Sequence, residues 1–113
     1  ISACTLELAD WLEKLGPWGP GMEEPKFIIP NSKITSFRRF GSNNEHASFY
    51  INDGSSKKLK VKKFNLLNNA LNKVFDNYEN INFDFLGTLN VDTWNNTKSI
   101  VLMLDDIIYA DVT

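Results

Sequence analysis

Apolar positions along the chain first recur at helical spacing and then alternate. Residues 5–15 put Leu8, Leu12 and Leu15 on one face, with Thr5 as N-cap and Glu7 and Asp10 near the positive end of the dipole. Gly16 and Pro17 stop that helix. From Phe27 the period is two, as strands require. The apolar phase slips between Ile34 and Phe37, which predicts a bulge or bend in a long first strand. G-S-N-N-E is a turn. Ala47, Phe49 and Ile51 then alternate with Ser48, Tyr50 and Asn52, and N-D-G-S-S reads as a hairpin. On the returning strand Leu59 and Val61 face one way, and Lys58, Lys60 and Lys62 face the other.

The second half repeats the switch. Residues 66–75 predict a helix with Leu67, Leu71, Val74 and Phe75 on its apolar side. Ile81, Phe83, Phe85, Leu89 and Val91 alternate with polar residues, and Gly87 marks a bend in that strand. D-T-W-N-N-T-K turns the chain into S-I-V-L-M-L, a continuous apolar strand buried on both faces. After the first helix the order is β-β-β-α-β-β. Five strands with a helix between the third and fourth is the element order of an OB-fold, a small Greek-key barrel often used on single-stranded nucleic acid. The predicted fold class is therefore mainly β with α: an OB-fold over residues 26–113, preceded over residues 1–25 by a connecting helix and a Gly/Pro-rich connector.

That connector reads L-G-P-W-G-P-G-M-E-E-P-K-F. It combines residues that fix φ (Pro17, Pro20, Pro25) with residues that free it (Gly16, Gly19, Gly21), around an aromatic anchor, Trp18. This is a shaped connection between units, not a loose linker. The 113 residues fit one domain. No apolar run reaches the length of about 18 residues that a membrane span needs. The opening I-S-A-C-T-L-E-L does not read as a signal peptide, and its initial Ile predicts a segment of a longer protein.

Charge changes the picture most. The net −2 hides a basic middle: residues 26–64 carry nine Lys and Arg against Glu45 and Asp53, a net of +7, between segments of −4 and −5. One cysteine, Cys4, and one histidine, His46, exclude an internal disulfide, a Cys-based metal site and the histidine-dependent hydrolase motifs. Asp105 and Asp106 are adjacent on a strand and point to opposite faces, so they do not share a metal ion. The candidate nucleic-acid-binding residues are Arg38, Arg39, Lys58, Lys60 and Lys62 as a phosphate track, the alternative for the lysines being a plain solvated face, and Tyr50 as a stacking partner, the alternative of a half-buried aromatic at the barrel rim being favoured. His46 joins them as a phosphate contact or a turn cap, the turn role being favoured, and packing is favoured for Trp94.

The helix followed by L-G-P-W-G-x-x-x-x-E-P-x-F resembles RecJ-type single-strand-specific DNA exonucleases, through Leu15, Gly16, Pro17, Trp18, Gly19, Glu24, Pro25 and Phe27. Gly41 and His46 resemble that family's Gly-to-His turn. Trp94, Asp106 and Ile107 resemble its Asn-x-Trp-x-Gly turn and following strand, with Asn96 standing where the family has Gly. The resemblance implies the C-terminal OB domain of a 5′–3′ exonuclease in a bacterial cytoplasm, binding single-stranded DNA beside the catalytic domains of the same parent chain. It also implies Mg or Mn in those domains and no cofactor in this segment. The family's DHH metal motif does not occur here, so this stretch holds the strand and does no chemistry. The alternative expectation is a structural or protein-interaction barrel without direct DNA contact.

Overall fold

The computed structural model describes Leu8, residues 25–55 and residues 57–109. The expected helix over residues 5–15 (Leu8 apart), the connector with Trp18 and the side chain of Trp94 lie outside the described residues. Leu8 is helical and packs against the core, as the leucine face expected of that helix requires.

Five strands form a closed barrel in the order β1-β2-β3-β5-β4: β1 (Phe27–Phe40), β2 (His46–Asn52), β3 (Leu59–Lys63), β4 (Asn82–Trp94) and β5 (Thr97–Tyr109). Of these five strand pairings, that of β3 with β5 is parallel and the other four are antiparallel. This is the OB-fold that the element order predicts. The first strand makes closure possible, because Phe27–Lys33 pairs with β4 and Lys33–Phe40 pairs with β2. Its register shifts between Ile29 and Ser32, around Pro30, which has no N–H for the ladder. It shifts again between Thr35 and Arg38, where the sequence phase slips; Ser36 there has φ 52°. The expected bend at Gly87 is also present. Asp105 is the extra residue opposite it, and a Cβ on Gly87 would lie 2.2 Å from the Met103 carbonyl oxygen.

The interior follows the alternation. Phe49, Phe83, Phe85, Ile51, Val61 and Leu102 are fully buried. Phe37 reaches into this core from β1, with its ring centroid 5.9 Å from Phe49 and 5.0 Å from Phe75. On the final strand Ile100, Val101, Leu102 and Leu104 are buried, and Met103 is half-buried.

The segment before β4 departs from expectation. The predicted helix over residues 66–75 is reduced to one short helix, α1 (Asn72–Phe75), preceded by turns with i to i+3 hydrogen bonds. Asn65 and Asn68 take φ of 62° and 58°, which a continuous helix excludes. Asparagine side chains stand in for backbone partners: Asn69 Oδ1 accepts from Leu71 N–H, and Asn72 Nδ2 donates to the Leu66 carbonyl. The change of winding also exchanges the buried leucine. Leu66, not Leu67, enters the core, and Leu67 is 64% exposed.

Candidate nucleic-acid interface

Residues paired directly across a sheet share a face. On β1, β2 and β3 the outward rows are Arg38–Ser48–Lys62 and Thr35–Tyr50–Lys60, with the second row continuing to Val101 on β5. Their inward neighbours, Ile34, Ile51, Leu59 and Val61, are buried; on the outward face Ser48 and Val101 are covered as well, while Arg38 and Tyr50 are exposed. Arg38 Nε donates to Ser48 Oγ at 3.2 Å. The Lys60 ammonium lies 5.8 Å from the centre of the Tyr50 ring. Together Ser36, Arg38, Ser48, Tyr50 and Lys60 line a groove of about 280 Å³.

Two further grooves flank it. One, of about 400 Å³, lies toward the β2–β3 hairpin and is lined by Lys33, Thr35, Asn52 and Lys58, among others. The other, of about 180 Å³, lies beyond β3 and is lined by Lys62, Phe64, Asn90, Asp92, Val101 and Met103, among others. Lys58, Lys60 and Lys62 thus supply one cation each to the three grooves. Of the expected residues, the sheet brings Arg38, Tyr50, Lys60 and Lys62 together on its outer face, with Lys58 just before β3.

Arg39 and His46 are placed otherwise. Arg39 follows Arg38 and so turns to the opposite side, where its guanidinium lies over the Phe37 ring at 5.6 Å and donates to Asn72 Oδ1 at 3.1 Å. It braces α1 against β1. His46 Nδ1 accepts from Asn65 N–H at 3.2 Å, and Nε2 lies 3.3 Å from Glu45 Oε1. Its ring also packs on Phe40 and Phe64. These are contacts of the turn role favoured above. Glu45 accepts from Asn43 N–H, and hydrogen bonds to backbone N–H groups hold its carboxyl below the usual carboxylate range. Lys62 is also not simply solvated, because its ammonium is 3.1 Å from Asp92 Oδ2.

Lys33 and Phe64 line the grooves but escape sequence reasoning. Lys33 stands before the phase slip of β1, and its alignment with Asn52 is known only from the register. Phe64 continues the outward face of Lys60 and Lys62 just past β3 and is 39% exposed, but its apolar side chain does not mark a binding face in the sequence. Asp105 and Asp106 are both exposed; Asp105 pairs with Lys26, and Asp106 Oδ1 accepts from Ile107 N–H. Among the described residues no group of three His, Cys, Asp or Glu gathers to hold a metal ion. Among them, too, no helix is long and apolar enough to cross a membrane.

Comparison with known families matches residues 1–106 to the RecJ OB domain. The chain belongs to the RecJ OB domain family. Solved structures similar to this RecJ OB domain include the mitochondrial single-stranded DNA binding protein Rim1 of S. cerevisiae. It has a TM-score of 0.58 and 15% identity, with 78% of this chain and 96% of that chain covered. The SSB domain of a Synechococcus sp. protein is also similar, with a TM-score of 0.51 and 15% identity over 80% of this chain and 100% of that one. At such identities the likeness is one of fold. No match emerges among curated protein sequences.

Proposed function

We propose that this RecJ OB domain binds single-stranded DNA along the outer face of β1, β2 and β3. There it holds and orients the strand for a metal-dependent 5′–3′ exonuclease core in other domains of the same parent chain. The observation that carries this reading is the pair of adjacent outward rows that brings Arg38, Tyr50 and Lys60 together across three strands of a closed barrel, with Lys58 just before the third. Cations at alternate positions match a phosphate backbone, and an exposed ring beside them offers a surface for a base. The setting proposed is DNA repair or recombination in a bacterial cytoplasm. Mg or Mn belongs to the proposed catalytic core, whose chemistry this domain serves only by positioning.

The test is fluorescence anisotropy of a labelled single-stranded oligonucleotide at several salt concentrations. Each phosphate contact on a single strand adds about 0.7 to the salt slope, so Arg38→Ala/Lys60→Ala lowers affinity and flattens the slope by about 1.4. Tyr50→Ala lowers affinity with little change in slope. Wild-type affinity and slope in the folded double variant, with folding checked by circular dichroism, would sink the proposal and favour a protein-interaction barrel.

A further inference from the structure

The groove beyond β3 differs from the other two in charge and in lining. Its lysine is already neutralised: Lys62 Nζ sits 3.1 Å from Asp92 Oδ2, while 53% of the Asp92 side chain stays open to solvent. A phosphate entering here would meet a carboxylate before a free cation. The rest of the lining includes Val101, Met103, Asn90 and Phe64. Val101 is buried at 2% exposure. Asn90 lies beside Val101 in the β4–β5 ladder and carries both a donor and an acceptor. Phe64 is fixed from behind by two edge-to-face contacts, with Phe40 at 5.9 Å and 88° and with His46 at 5.0 Å and 70°. An exposed ring held by other rings loses little freedom when a flat partner stacks on it.

Building on the single-strand reading above, we propose that this third groove is a nucleobase pocket. Phe64 is the stacking surface, Asn90 the group that meets the base edge, and Asp92 the charge that keeps the phosphate backbone out by holding Lys62. The backbone then follows Lys58 and Lys60 on the first two grooves and leaves the barrel at the third, where a base turns in. Asp92 therefore lowers affinity for the strand, and it fixes which part of the nucleotide faces the barrel.

Anisotropy with a labelled oligodeoxythymidylate and a fully abasic oligomer of the same length tests this on the intact chain. Phe64→Leu keeps an apolar side chain against Phe40 and His46 but removes the ring. It weakens oligodeoxythymidylate binding about fivefold to a hundredfold, leaves the salt slope unchanged, and has no effect on the abasic oligomer. Asp92→Asn frees Lys62, so it tightens binding of both oligomers and steepens the salt slope by about 0.7. If the wild type binds neither oligomer, the single-strand reading itself fails. If the wild type binds and Arg38→Ala/Lys60→Ala weakens it, but folded Phe64→Leu does not, the base pocket alone is overturned. An Asp92→Asn variant with unchanged affinity and slope likewise overturns the role given to Asp92.

Discussion

At the scale of single residues, the chain solves its tight turns with asparagine. Among the described residues, seven of the eight non-glycine residues with positive φ are Asn. Its short amide tolerates the left-handed region better than most side chains. Asn95 and Asn96, at φ 50° and 62°, form the two-residue turn between β4 and β5, so Asn96 does the work expected of it in place of Gly. Gly87 cannot be exchanged in this way. Its missing side chain leaves room for the Met103 carbonyl, and backbone cannot step aside as a flexible side chain can. Gly87→Ala therefore loses about 3 kcal/mol or more of stability, read as a lower urea midpoint. Asp53 supplies a pH-dependent prediction. Hydrogen bonds from the Ser55 hydroxyl and then the Ser55 N–H lower its carboxyl from 3.8 to about 2. A depressed folded-state value means that the contribution to stability is complete above the unfolded value near 3.8 and is lost as pH falls through about 2. NMR titration of the Asp53 carboxyl should find its midpoint near 2, and Ser55→Ala should move it upward.

At the scale of elements, alternation exposed the strands but helical spacing misread residues 66–75. Periodicity shows which residues favour burial, not how tightly the backbone winds between them. Two asparagines in left-handed conformations and a chain of i to i+3 bonds rotate the segment, so the buried leucine is one position earlier. Leu66→Ala should cost about 2–5 kcal/mol in chemical denaturation, while Leu67→Ala should fall within about 0.5 kcal/mol of wild type. The reverse order would restore the continuous helix. The candidate site divides along similar lines. Lys60, Lys62 and Tyr50 were legible because alternation fixes a face once a strand is known. Arg39 was not, because the bulge at Ser36 and Phe37 resets the alternation just before it. Lys33 needed cross-strand register, which no local pattern carries, whereas Phe64 continues the alternation of Lys60 and Lys62 but carries no charge to mark it.

At the scale of the molecule, charge is sorted by strand. Asp84, Asp105 and Asp106 sit where β4 and β5 lie beside the first half of β1, while Arg38, Lys58 and Lys60 sit around β2 and β3. Among the described residues, Asp92 lies directly against Lys62 and Asp53 lines the hairpin groove with Lys33 and Lys58, while the other three acids named here stand away from the basic face. A site with few phosphate contacts is a weak binder alone. Attached to the proposed catalytic core, the proposed site would work at a high effective strand concentration. Introducing Arg38→Ala/Lys60→Ala into the proposed parent exonuclease should raise KM for single-stranded DNA while kcat holds, as measured by steady-state release of nucleotides; an equal fall in kcat would place these residues in the chemistry instead.

The barrel's rungs are unevenly distributed. The β4–β5 hairpin is paired from Phe83↔Tyr109 to Trp94↔Thr97, whereas the parallel join of β3 to β5 runs only from Lys60↔Val101 to Lys62↔Met103. Opening a barrel breaks its shortest join first, because the fewest ladder bonds are lost there. That join carries Lys60 and Lys62 themselves. A strand lying across it acts as a clasp, so occupancy of the proposed interface and closure of the barrel become a single equilibrium, each drawing the other toward completion.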